Sequence, residues 1–146
     1  MDTLRIDSGT VSLTINDDPN RVISFDPTDV VFIEHLYQLM KEFEEQAKQY
    51  EQKALLLDEG VAVDDNNIPT NLAERIALTK EVCQFVRLKI DEVFGKGTAQ
   101  TVFGDSYTLL SLGQFFDGLT PYIQKARQKQ VAKYSPSGTR GRKVMS

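Results

Sequence analysis

Apolar side chains recur along this chain at a period of two near its start and at three to four afterwards. Val11, Leu13 and Ile15 alternate with Ser12 and Thr14, which puts three apolar side chains on one face of a strand. The cluster Asn16-Asp17-Asp18-Pro19-Asn20 predicts a turn and residues 21–25 a second strand, together a β-hairpin. An isolated hairpin is only marginally stable in water, so this one is expected to lie on helices or to pair with another chain's sheet.

Beyond the hairpin the period lengthens. Asp26-Pro27 predicts a helix start, with Asp as the capping acceptor and Pro in the first turn. Ile33, Leu36, Met40, Phe43, Ala47, Tyr50, Ala54 and Leu57 then form one continuous apolar seam. Glu44 and Lys48, four apart, support the wet face. A helix over residues 27–57 is roughly 46 Å long, whereas a compact globule of this chain length is about 40 Å across. The seam therefore reaches or overruns the edge of its own body, and self-association is expected.

Residues 58–70, with Gly60, Asp64-Asp65-Asn66-Asn67 and Pro69, predict a linker. The acid-amide run lacks the alternating ligands and closing Glu of a calcium loop and reads as a solvated turn. Asn71 with Glu74 predicts a capping box. Leu72, Ile76, Thr79, Cys83, Val86, Ile90 and Val93 repeat the earlier spacing up to a stop at Gly95-Lys96-Gly97. Two matched seams across a short linker predict an αα-hairpin. A short piece over residues 99–103, a break at Gly104-Asp105 and an apolar helix stopping near Gly118 follow, and Thr120-Pro121 predicts the start of a basic helix ending near Tyr134. The predicted fold is mainly α: a helical bundle built on a long αα-hairpin with a small N-terminal β-hairpin. It forms one domain over residues 1–134, with the β-hairpin in 1–25 and helices in 26–134, followed by a flexible basic tail over 135–146.

Composition fits one globular domain: 146 residues, 40% hydrophobic, 26% charged, net charge −4. No apolar run approaches the ~18 residues of a membrane span, and residues 1–6 lack the layout of a secretory signal, so an intracellular protein is expected. One Cys and one His allow no internal disulfide and no zinc site. Charge is unevenly distributed. Lys125, Arg127, Lys129, Lys133, Arg140, Arg142 and Lys143 follow residue 120 with no acid among them, giving that segment +7, while the other ten basic residues face 21 acids. Such a block suits an interacting end.

Candidate chemistry is sparse. His35 and Cys83 are the nucleophile-and-base types, but Cys83 sits on the packing seam, where a thiol behaves as a small hydrophobe. Glu42, Glu44 and Glu45 read as a solvated helix face. Gly95-Lys96-Gly97-Thr98 lacks P-loop spacing, and no serine nucleophile motif occurs. The expectation is a protein that is not an enzyme and uses no cofactor or metal. Tyr122, Lys125, Arg127, Lys129, Lys133 and Tyr134, followed by Arg140-Gly141-Arg142-Lys143, leave nucleic-acid binding as an alternative. The acidic remainder of the chain opposes it.

Several segments carry a more specific likeness. Phe25-Asp26-Pro27-Thr28-Asp29-Val30 leading into Phe32, Glu42-Phe43-Glu44-Glu45, Phe103-Gly104-Asp105, Phe115-Phe116-Asp117-Gly118-Leu119-Thr120-Pro121-Tyr122-Ile123 and Lys125-Ala126-Arg127 span about residues 22–134. Together they resemble small tail-module proteins of tailed phages and prophages of Gram-positive bacteria, similar to the tail assembly chaperones of long-tailed phages. The resemblance implies a homo-oligomeric protein of the host cytoplasm, not membrane-bound, that coats the tape-measure protein while the tail tube is built and then leaves. It implies client contacts at Leu36, Met40, Phe43 and Tyr50, or at Phe115 and Phe116. A basic end with Lys125, Arg127, Arg140 and Arg142 would tether tail-tube subunits, or mark where a longer frameshifted product continues. The structural alternative is a permanent virion component, such as a tail-completion or head-tail connector protein.

Overall fold

The structure is a computed structural model that describes the backbone of residues 1–134 and the side chains of residues 1–128. The fold is mainly helical with an N-terminal β-hairpin. Strands β1 (Val11–Ile15) and β2 (Asp18–Phe25) pair antiparallel, with Val11 opposite Phe25 and Leu13 opposite Ile23. The turn is tighter than the five-residue cluster predicts. Asn16 and Asp17 alone form it, at φ 53° and 61°, the left-handed pair that matches strand twist in a two-residue hairpin. Ile15 faces Asp18 while Thr14 faces Val22, so residues 19–21 bulge out of the ladder. Arg21, in the bulge, donates from Nε and Nη2 to the Thr101 and Val102 carbonyls at 2.9 and 2.6 Å. The hairpin thus lies on its own helices, with Ile23 and Phe25 buried.

Helix α1 (Val30–Asp58) starts later than predicted. Asp26 caps no helix; its carboxylate accepts from the Thr28 amide at 2.9 Å and the Gly9 amide at 3.3 Å, and its carbonyl accepts from the Asp29 amide. That is an Asx-type turn. Asp29 is the N-cap, accepting from the Val31 amide at 2.9 Å.

Helix α2 (Leu72–Phe94) runs back along α1. Asn71 is its N-cap but makes no side-chain capping bond, so the predicted capping box does not form. The Asn71 amide is engaged elsewhere: it donates to the Leu57 carbonyl at 2.5 Å and accepts from Arg75 Nε at 2.9 Å, and Arg75 pairs with Asp58. These bonds fasten the far end of the αα-hairpin. In the linker, Asp64 Oδ1 accepts from the Asn66 and Ile68 amides at 2.8 and 3.0 Å, holding a turn whose Asn67 is left-handed at φ 63°.

Gly95 closes α2, and the short α3 (Thr98–Phe103) follows. Helix α4 (Leu109–Tyr134) then runs without a break, which corrects the predicted stop near Gly118 and restart at Pro121. Pro121 lacks the N–H that would bond the Asp117 carbonyl, and the Thr120 hydroxyl donates to the neighbouring Phe116 carbonyl at 3.0 Å. Leu119 and Ala126, buried on either side of Pro121, hold both halves to the body. Burial overrides the local preference for a break.

The core lies where all these elements meet. Seven of the eight phenylalanines form one chain of ring contacts, Phe32 and Phe25 to Phe94, Phe94 to Phe115, and Phe115 to Phe103 and Phe116, ending on Phe43, with centroids 5.1–5.8 Å apart. Leu36, Val86, Ile90, Leu112 and Cys83 are fully enclosed beside them. Beyond Leu39 no side chain of α1 is fully buried, and in α2 none is before Val82. The far end of the αα-hairpin therefore projects from the body, leaving Leu55, Leu56, Leu72 and Ile76 exposed.

Candidate partner-docking groove

Helix α1 carries two neighbouring apolar stripes. Phe32, Leu36, Leu39 and Phe43 turn into the core. Val30, Ile33, Tyr37 and Met40, spaced three, four and three apart, lie one step round the helix and face α4. Between this second stripe and α4 runs an apolar groove of about 460 Å³, floored by Leu36 and Ile123 and rimmed by Glu34 and Arg127. Val30 is 77% and Tyr37 60% exposed. Lys41 Nζ stands 4.9 Å from the Tyr37 ring centroid, a cation–π contact that orients the ring. The groove exists because α4 runs antiparallel to the first half of α1: Phe116 meets Phe43, and Ile123 and Arg127 face Val30 to Met40. An apolar floor with one acid and one base on its rim suits an amphipathic helix that brings apolar anchors and charges of both signs.

The residues singled out in the sequence separate into groups. Leu36, Met40 and Arg127 come together in this groove. Leu36 is almost entirely enclosed, so it forms floor and not contact surface. Phe115 and Phe116 are corrected to core positions: at 8% and 4% exposure they offer a partner almost no area. Phe43 is half-buried against Phe116, and Tyr50 is half-buried on the α1–α2 seam, its hydroxyl 3.4 Å from that of Thr79. Lys125 and Arg127 are exposed on α4. Arg140 and Arg142 lie outside the described residues. The sequence pattern places Ile33 in a single seam and does not mark Val30, Tyr37 or Ile123 as contact positions; the signal for them is an apolar arc on α1 too wide for one helix contact.

Cys83 has no accessible surface, and burial pushes its thiol above the ordinary value, with nearby Arg87 partly offsetting that. It is an inert core thiol, while His35 is exposed on a charged surface with Glu42, Lys89 and Glu92. Among the described residues no cluster of metal-ligating side chains occurs and no helix is long and apolar enough to cross a membrane.

Fold and groove together define a helical protein with a β-hairpin cap and an open apolar groove between α1 and α4. Residues 20–145 match DUF6673, a family of unknown function, and the chain belongs to that family. No curated protein and no solved structure matches the chain.

Proposed function

We propose that this protein is a non-enzymatic tail assembly chaperone that holds apolar helical faces of a tape-measure protein in the α1–α4 groove while the tail tube is assembled in the host cytoplasm. The observation that carries the reading is the groove itself, where Val30, Ile33, Tyr37 and Met40 present an unfilled apolar stripe beside Ile123. A tape measure exposes repeated apolar helical faces before assembly, and a groove of this kind takes the anchors of one such face. The acidic body keeps the complex in solution.

Co-expression with tape-measure fragments tests the proposal. The wild-type chain is expected to keep the fragments soluble, and the Tyr37→Asp and Val30→Asp variants, altered at exposed positions, are expected to lose that effect with unchanged circular dichroism. Fragments equally insoluble with and without the protein overturn it. Mass spectrometry of purified particles separates the chaperone from a permanent virion component: a chaperone is absent, a connector is present at fixed copy number.

A further inference from the structure

A second cleft lies on the other side of α4, between it and the β-hairpin, with a volume of about 700 Å³. Every residue from 12 to 17 lines it, inward- and outward-facing alike. One wall is therefore the backbone edge of β1 itself. The sheet has two strands, and among the described residues β1 makes no backbone hydrogen bond except to β2. That leaves a row of unpaired N–H and C=O groups facing the cleft. The opposite wall is one face of α4: Ser111, Gln114, Phe115, Gly118, Leu119 and Tyr122. An open strand edge across from a helix is the geometry in which an extended segment adds as a new strand and seats alternate side chains.

Gly118 leaves the α4 wall of the cleft bare. Glycine inside a helix is unfavourable relative to alanine, yet a Cβ at this position would meet no atom of the chain within 4 Å. Nothing in the monomer requires glycine there. The open α4 surface at Gly118 leaves room in the cleft for an added segment.

The chain also carries a segment suited to the cleft. Residues 1–10 form no helix or strand within the monomer, and Leu4 and Ile6, two apart and so on one face once the segment is added as a strand, are 85% and 83% exposed. Folding back into its own cleft takes a tight reversal at Gly9 and Thr10 that breaks the Gly9 amide bond to Asp26. The arm of a second copy reaches the cleft with that bond intact, which favours it as the occupant.

We propose that two copies exchange N-terminal arms, residues 2–8 of each adding to the open edge of β1 in the other, with Leu4 and Ile6 seated against Phe115, Gly118 and Leu119. A seven-residue strand is about 23 Å long, and with sheet-like spacing two exchanged arms bury about 900 Å² in all. This is close to the ~1,000 Å² lower bound for a specific interface, so the dimer forms and dissociates with concentration. Both surfaces are separate from the α1–α4 groove, so the exchange stands or falls independently of the chaperone reading.

Light scattering on the full chain across a concentration series is the test. The wild-type mass is expected to double between micromolar and millimolar protein. Two variants are expected to stay at monomer mass throughout: Leu4→Asp with Ile6→Asp, which alters only exposed side chains, and Gly118→Leu, which fills the cleft without lowering thermal stability. Mixing an Arg5→Cys chain with a Thr14→Cys chain under oxidation is expected to give the mixed cross-linked dimer. A wild-type chain that stays monomeric at millimolar concentration, or a dimer that survives both variants, overturns the proposal. So does a disulfide within one chain of the Arg5→Cys, Thr14→Cys double variant.

Discussion

The ring of Phe43 lies against that of Phe116, centroids 5.1 Å apart and planes inclined by 38°. This contact joins the midpoint of α1 to α4 at the end of the phenylalanine chain, and it marks where the αα-hairpin leaves the body. Truncating buried Phe116 to alanine is expected to cost about 3–5 kcal/mol, through lost burial and the cavity left behind. A double-mutant cycle with Phe43→Ala is expected to show coupling of about 0.5–1.5 kcal/mol beyond additivity. Urea denaturation measures both; purely additive losses would show that the ring contact contributes nothing of its own.

Arg21 binds the β-hairpin to α3 by donating to two carbonyls in its last turn. Those carbonyls have no partner within the helix, and a cation there also meets the negative end of the helix dipole. Arg21→Ala is expected to cost about 1.5–3 kcal/mol. The expected hydrogen-exchange signature is faster exchange confined to β2 and α3; uniform acceleration across the fold would contradict the local role.

Asp26 titrates below the ordinary carboxylate range, chiefly because the Thr28 hydroxyl bonds its charged form, helped by the Thr28, Gly9 and Asp29 amides and opposed by partial desolvation. A carboxylate whose folded value is depressed stabilises the fold fully above its unfolded value. That contribution is lost as pH falls through the folded value. The stability difference between wild type and Asp26→Asn is therefore expected to be constant near neutrality and to shrink below about pH 4. Urea midpoints across pH measure it, and a difference that stays flat into acid would contradict the assignment.

Cys83 is enclosed and its thiol is pushed up by burial. Ellman's reagent at about pH 8 is expected to label it only as fast as the protein unfolds, since the thiolate is the reacting species. Immediate labelling of the native chain would show that α2 opens locally.

Gly118→Ala is expected to raise stability by about 0.5–1 kcal/mol, because the new methyl meets nothing and the unfolded chain loses freedom. Thermal melts of dilute protein, where the monomer prevails, give the sign directly.

The seams of α1 and α2 were legible in the sequence because helical periodicity persists over many turns, and the β-hairpin was legible from Val11, Leu13 and Ile15. Residues with two possible roles were not. Asp26 and Asn71 both look like helix caps, but one closes a turn and the other bonds across to the preceding helix. Gly118 reads as a stop and Pro121 as the start of a new helix, but Leu119 and Ala126 bury enough surface to carry α4 through both. The groove was half-legible. Met40 and Arg127 were found, but residues 80 or more apart meet there, and no local pattern tells which of two adjacent stripes on α1 faces solvent.

The fastening of Asn71 and Arg75 onto Leu57 and Asp58 has a mechanical consequence. With its free tip lashed, the projecting rod pair bends as one stiff beam instead of splaying into two. A load applied at Leu57 is delivered about 21 Å away at Phe43, where the beam is rooted against the Phe116 ring, so the tip can act as a lever on the aromatic centre of the molecule.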